Sequence, residues 1–146
     1  GMYLYFQNPA IQTEVVSSGQ PIRVTAPADL KAELLVPLLG DPDPRAAARA
    51  AYLLATLKDS AGLDTLIRYW REQARDDHAV RRMVYRAITA LNDDSRTAVL
   101  EEVYRTYAKD DYWLRDFYWT IRSMSGPNVL ALRKQIRDEV GMESLR

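Results

Sequence analysis

The chain has 146 residues, 47% of them hydrophobic, which is one domain's worth of sequence with enough apolar side chains to bury a core. Lys plus Arg equals Asp plus Glu at 20 each, so no net charge draws the chain toward nucleic acid or an anionic lipid surface. With no cysteine and a single histidine, His78, it cannot form disulfides, thiolate metal sites, cysteine nucleophiles or histidine-rich metal centres, and no cofactor is expected.

Gly1 ahead of Met2 reads as a cloning remnant, and Leu4-Tyr5-Phe6-Gln7 as native sequence. The N-terminus lacks a basic segment followed by a sustained apolar run, and a cytoplasmic location is expected. Residues 1–27 form an arm distinct from the rest. Ile11 to Val16 and Ile22 to Thr25 are β-prone, and Ser17-Ser18-Gly19-Gln20 between them predicts a hairpin turn. A lone hairpin is barely stable in water, so the arm and its aromatic tip, Tyr3 to Phe6, are expected to cover the open end of a helical stack.

Residues 28–146 read as that helical domain. Leu30, Leu34, Leu35, Leu38 and Leu39 line one face of an opening helix whose last turn Pro37 should kink or end. Aspartates then stand at 59, 76, 93 and 110, one every 17 residues, each opening a cluster ahead of an apolar pattern of helical period. An Asp or Ser oxygen in that place accepts from the free N–H groups of a helix's first turn, so each cluster predicts a helix start. Helices of this length joined by connections of a few residues fold back as antiparallel pairs.

Three segments, Ala46 to Leu57, Val80 to Leu91 and Trp113 to Met124, superimpose on one template and end 34 and then 33 residues apart. Their inward positions hold Ala50/Val84/Phe117, Leu54/Ile88/Ile121 and Leu57/Leu91/Met124. The alternating helices carry weaker stripes: Leu63, Leu66, Ile67 and Trp70; Val99, Leu100, Val103, Tyr104 and Tyr107; and, after Gly126-Pro127, Val129, Leu132, Ile136 and Val140. Seven helices are predicted. No apolar run approaches the ~20 residues that cross a bilayer, so no membrane partner is expected.

The segment Leu35-Val36-Pro37-Leu38-Leu39-Gly40-Asp41-Pro42-Asp43-Pro44-Arg45, with the alanine-rich run to Leu57 and then Lys58-Asp59, resembles a HEAT repeat. Proline in the first helix, the Asp-Pro turn and the following Arg carry the likeness. Val80-Arg81 continues it, and Trp113-Leu114 departs from it. The resemblance implies an all-α fold, an α-α superhelix of about three helical hairpins plus a closing helix. It also implies that the second helices of the pairs face a concave surface that holds other macromolecules. HEAT-like repeats occur as well in phycobilin lyase relatives and alkylpurine DNA glycosylases.

Laid side by side, the three template helices place Ala48, Tyr52 and Ala55, then Arg82, Arg86 and Thr89, then Arg115, Trp119 and Arg122 on a shared outward face. Arg, Trp and Tyr are enriched where binding energy concentrates, because guanidinium groups pair with carboxylates and stack on rings. Tyr52, Arg82, Arg86, Arg115, Trp119 and Arg122 are therefore the candidate binding residues, and a protein or peptide is the expected partner. Nucleic acid is not favoured by the charge balance. Phe117 and Tyr118, in the aromatic run that begins at Tyr112, are assigned to the core. Asp116, three residues from each of Trp113 and Trp119, is the candidate acid or base of an alternative in which the chain is a small DNA-repair or lyase-like protein. The plainer reading makes it a solvated or Arg-paired helix residue. His78 is expected to be exposed or to cap a helix.

Overall fold

The computed structural model describes residues 31–146 and, for the arm, the backbone of two strands. The arm's aromatic tip and the boundary at residues 27 and 28 lie outside the described residues. β1 (Thr13–Ser17) pairs antiparallel with β2 (Gln20–Val24), with Thr13 opposite Val24 and Ser17 opposite Gln20. Ser17 and Gln20 were expected in the turn. Their pairing shortens the connection to two residues, the length most compatible with strand twist.

Contacts divide the chain into two compact units, residues 1–73 and 74–146. In the first, α1 (Ala32–Leu35) passes into a 3-10 turn over Val36–Gly40, with Pro37 at its start. Proline has no N–H to donate, so the α-helical ladder stops there and the tighter turn finishes the element. α2 (Pro44–Thr56) packs on both, and Leu35, Leu38, Ala46, Ala50, Leu53 and Leu54 form their shared core. α3 (Leu63–Gln73) lies against α2, burying Leu63, Leu66, Ile67 and Trp70. The approach is close at Gly62, where a Cβ would lie 2.6 Å from the Cβ of Ala51.

The second unit has two layers. α4 (His78–Leu91) packs on α6 (Tyr112–Ile121), and α5 (Thr97–Arg105) packs on α7 (Pro127–Val140). Val84, Ile88, Phe117 and Ile121 are fully buried between them, as are Leu100, Val103, Val129 and Ile136. Phe117 and Tyr118 are core residues. Leu57, Leu91 and Val140, expected in the core stripes, are only half-buried, because each sits at the end of its helix. The inward phase of α3 to α7 otherwise follows the sequence pattern.

Aspartates cap the starts of α2, α4 and α6 as expected, and Asp93 caps the 3-10 turn Asp94–Arg96 that leads into α5, whose own cap residue, Arg96, makes no side-chain capping bond. Asp43 accepts from the Arg45 amide, Asp77 from Val80, Asp93 from Ser95 and Asp111 from Trp113, while Asp59 accepts from Ala61 ahead of α3. Asp94 does something the pattern does not announce. Its carboxylate accepts from the amides of Asn128 at 3.1 Å and Val129 at 2.8 Å and from the Asn128 side chain, capping α7 from the preceding repeat. α7 has glycine, Gly126, at its own cap position, at φ +132, and a Cβ there would collide with the Asp94 side chain. Next to this contact Asn92, left-handed at φ 48, exchanges hydrogen bonds with Ser125 at 2.9 and 3.0 Å. A further short helix, α8 (Met142–Leu145), was not expected; Gly141, at φ +86, turns the chain into it. No described helix is long and apolar enough to cross a membrane.

Candidate functional site

α6 begins under the Asp111 cap, so Tyr112 and Trp113 leave its first turn on the outer side, and Arg115, Asp116 and Trp119 follow at helical spacing. α4 runs alongside and supplies Arg82. Together these side chains, with Arg146, line an open groove of about 440 Å³. Tyr112, Trp113 and Trp119 are its apolar surface, and all three are among the few large hydrophobic side chains left exposed among the described residues, Tyr112 at 70%.

The rings are held rather than loose. Trp113 stacks on the imidazole of His78 with centroids 4.1 Å apart, and the Arg82 guanidinium lies 5.6 Å from its centre. Tyr112 meets Trp113 edge to face at 5.3 Å. Arg122 lies over Trp119 at 5.1 Å, and the Trp119 indole N–H donates to the Leu145 carbonyl at 2.5 Å. Such contacts fix ring orientation before a ligand arrives, which lowers the ordering cost of binding.

His78 therefore departs from expectation. Asp77 is the cap of α4, and the imidazole is instead sandwiched against Trp113, edge-on to Tyr107 at 6.4 Å. Burial pushes its pKa down, and the charges of Arg81 and Arg82 push the same way, so the neutral ring is favoured. Arg81, beside it on α4, is buried at 8% exposure. Its guanidinium covers the Tyr107 ring at 4.9 Å and donates to the Arg75 carbonyl at 3.4 Å.

Asp116 accepts from the Arg82 Nε–H at 3.2 Å and from the hydroxyl of Tyr85, both on the same oxygen. Tyr85 is fully buried, and burial followed by its bond to Asp116 drives its pKa far up, so the phenol stays protonated as the donor. This carboxylate links α4 to α6 as the Arg-paired residue of the plainer reading.

Of the sequence candidates, Arg82, Arg115 and Trp119 meet in the groove. Arg122 reaches it only through the Trp119 ring. Arg86, one turn beyond Arg82 and half-buried, is not among the lining residues. Tyr52 belongs to the other compact unit, where it is half-buried on α2 between the exposed Arg49 and Thr56. Ala48 and Ala55, expected on its outward face, are buried at 0% and 1% exposure. A methyl side chain is short enough for neighbours on both sides to cover it, so alanine carries no record of which way it faces. Tyr112 and Arg146 were missed as lining residues. The signal for Tyr112 was present, since a ring in the first turn after a capping aspartate, ahead of the first core position Leu114, faces outward.

Neither curated proteins nor solved structures gave a match to this chain. The family model of HEAT repeats matches residues 32–115, more than half of the chain, from α1 through the first turn of α6. Paired helices, proline in the first of them and aspartate caps are the features that this match spans, and the chain belongs to the HEAT-repeat family.

Proposed function

We propose that this protein is a non-enzymatic scaffold or adaptor that binds a protein or peptide partner through the α4–α6 face. The gathering of Tyr112, Trp113 and Trp119 with the guanidinium groups of Arg82, Arg115 and Arg146 around one groove carries this reading. Exposed, preoriented aromatics beside arginines are the composition of binding hot spots, and HEAT repeats generally serve as interaction scaffolds. Arg82 is paired with Asp116 and Arg146 lies 3.6 Å from Glu143, so the three cations keep an excess of one positive charge, and an acidic segment bearing an aromatic or apolar side chain fits best. Arg86 and Arg122 extend the face in this proposal; Tyr52, on α2 of the other unit, is no part of it. The zero net charge of the chain favours a peptide over nucleic acid, whose binding would weaken steeply with salt. No separate observation favours a catalytic Asp116.

Selection of a displayed peptide library on the immobilised protein tests this. Enriched peptides should be acidic with apolar anchors. They should lose about 2 kcal/mol, roughly thirtyfold in Kd, on a Tyr112→Ala/Arg115→Ala protein whose melting temperature is unchanged. Peptides that bind this folded variant as tightly as the parent would rule the face out.

A further inference from the structure

α8 has no counterpart in the repeat pattern, and it lies on the face that carries the groove, packed against α6 and α7. Leu145 is fully buried. The Leu145 carbonyl takes the indole N–H of Trp119 at 2.5 Å, and the Ser144 carbonyl takes the Nε–H of Arg115 at 3.2 Å. Two of the donors that the face offers are thus already engaged by the main chain of a leucine-bearing turn, and Arg146, the next residue, adds its guanidinium to the groove lining. A four-residue helix has no stability of its own, so one leucine and two hydrogen bonds are what hold it. Gly141 supplies the pivot: at φ +86 it adopts a conformation that favours glycine, and a Cβ added there would meet nothing within 4 Å, so the backbone around it is uncrowded.

Resting on the proposed partner-binding role of this face, we infer that the Met142–Leu145 turn is its internal occupant. The partner that displaces it is a peptide of the same chemistry, with a leucine on a single helical turn whose last two carbonyls meet Arg115 and Trp119. Tethered one residue beyond α7, the turn competes at an effective concentration on the order of millimolar or above, so only a partner with additional contacts along the groove replaces it. The extra contacts available are the exposed rings of Tyr112 and Trp113 and the arginines beside them.

A fluorescent peptide of sequence Glu-Val-Gly-Met-Glu-Ser-Leu-Arg, the chain's own residues 139–146, is titrated against the full chain and against the full chain carrying Leu145→Glu. The variant should bind it at least about tenfold more tightly than the parent, because its own turn no longer holds the place. Adding Trp119→Phe, which keeps a ring but removes the N–H, should abolish that gain. A Leu145→Glu chain with the parent's helical circular dichroism that binds the peptide no better overturns the inference. Hydrogen exchange on the parent decides independently of whether that variant folds. Amides of residues 142–146 should open far more often than those inside α6, and equal protection would make the turn a fixed part of the core and end the proposal. The library selection reads the face without this peptide, and the titration reads the turn without the library, so the two readings fail separately.

Discussion

Replacing Asp116 should reveal a structural carboxylate through a reversal of sign. In Asp116→Ala the Tyr85 hydroxyl, fully buried, loses its acceptor, and an unpaired buried donor costs about 1–3 kcal/mol. The lost pair with Arg82 adds little, about 0–1 kcal/mol, since the two side chains are 35% and 27% exposed and water screens them. The expected loss is about 2 kcal/mol. Asp116→Asn keeps an oxygen for the phenol and should cost roughly 1 kcal/mol. Tyr85→Phe alone should destabilise the parent, because it removes a donor to a carboxylate. Introduced into Asp116→Ala, the same change removes the orphaned hydroxyl, and the double variant should be no less stable than Asp116→Ala alone. Urea unfolding followed by circular dichroism at one temperature gives all four corners of the cycle. Losses that simply add would mean that Tyr85 and Asp116 do not depend on each other, and the carboxylate would not be the link between α4 and α6.

Two further outcomes rest on the packing and the caps. Ile88→Ala and Leu54→Ala, each at a fully buried position, should each lower unfolding stability by 2–5 kcal/mol on the order expected for a core cavity, read from urea midpoints. At Asp94, burial alone would raise the carboxyl pKa, but the bonds from the Val129 and Asn128 amides outweigh it and hold the value below the ordinary one. A depressed folded pKa means stability that is complete above the unfolded value and lost as pH falls through the folded one. The parent should therefore lose stability below about pH 4 more steeply than Asp94→Asn, and parallel acid melts would refute the cap.

The sequence was most informative where one helix could be read by itself. Leu63, Leu66, Ile67 and Trp70, or Val99, Leu100, Val103, Tyr104 and Tyr107, declare a buried face through spacing alone, and all nine are buried. Caps are similarly local, since Asp77 and Asp111 bond to amides two or three residues on. What spacing does not contain is the partner across a contact. Ala48 and Ala55 are hidden by neighbours, His78 is claimed by Trp113, and Asp94 is drawn to a helix start 34 residues away. The groove was legible in part for the same reason. Template phase brought Arg82, Arg115 and Trp119 together, but that Arg86 stays out of the lining and that Arg146 enters it depends on how α4, α6 and the returning turn fit.

Asn92 and Asp94 also bear on how such a chain can be recombined. Arrays of this kind invite cutting and splicing at the connection after each helical pair, as though every repeat carried its own ends. Here the connection after α4 and the one after α6 are stitched to each other, Asn92 to Ser125 and Asp94 to Asn128 and Val129. A splice that brings in a new final pair without matching Asp94 would deliver a helix whose opening amides have no acceptor, and one that replaces Gly126 would push the carboxylate out. The transferable piece is not the helical pair. It is the seam, residues 92–94 with 125–129, and a library of chimaeras joined inside that seam should yield far fewer folded members than one joined on either side of it.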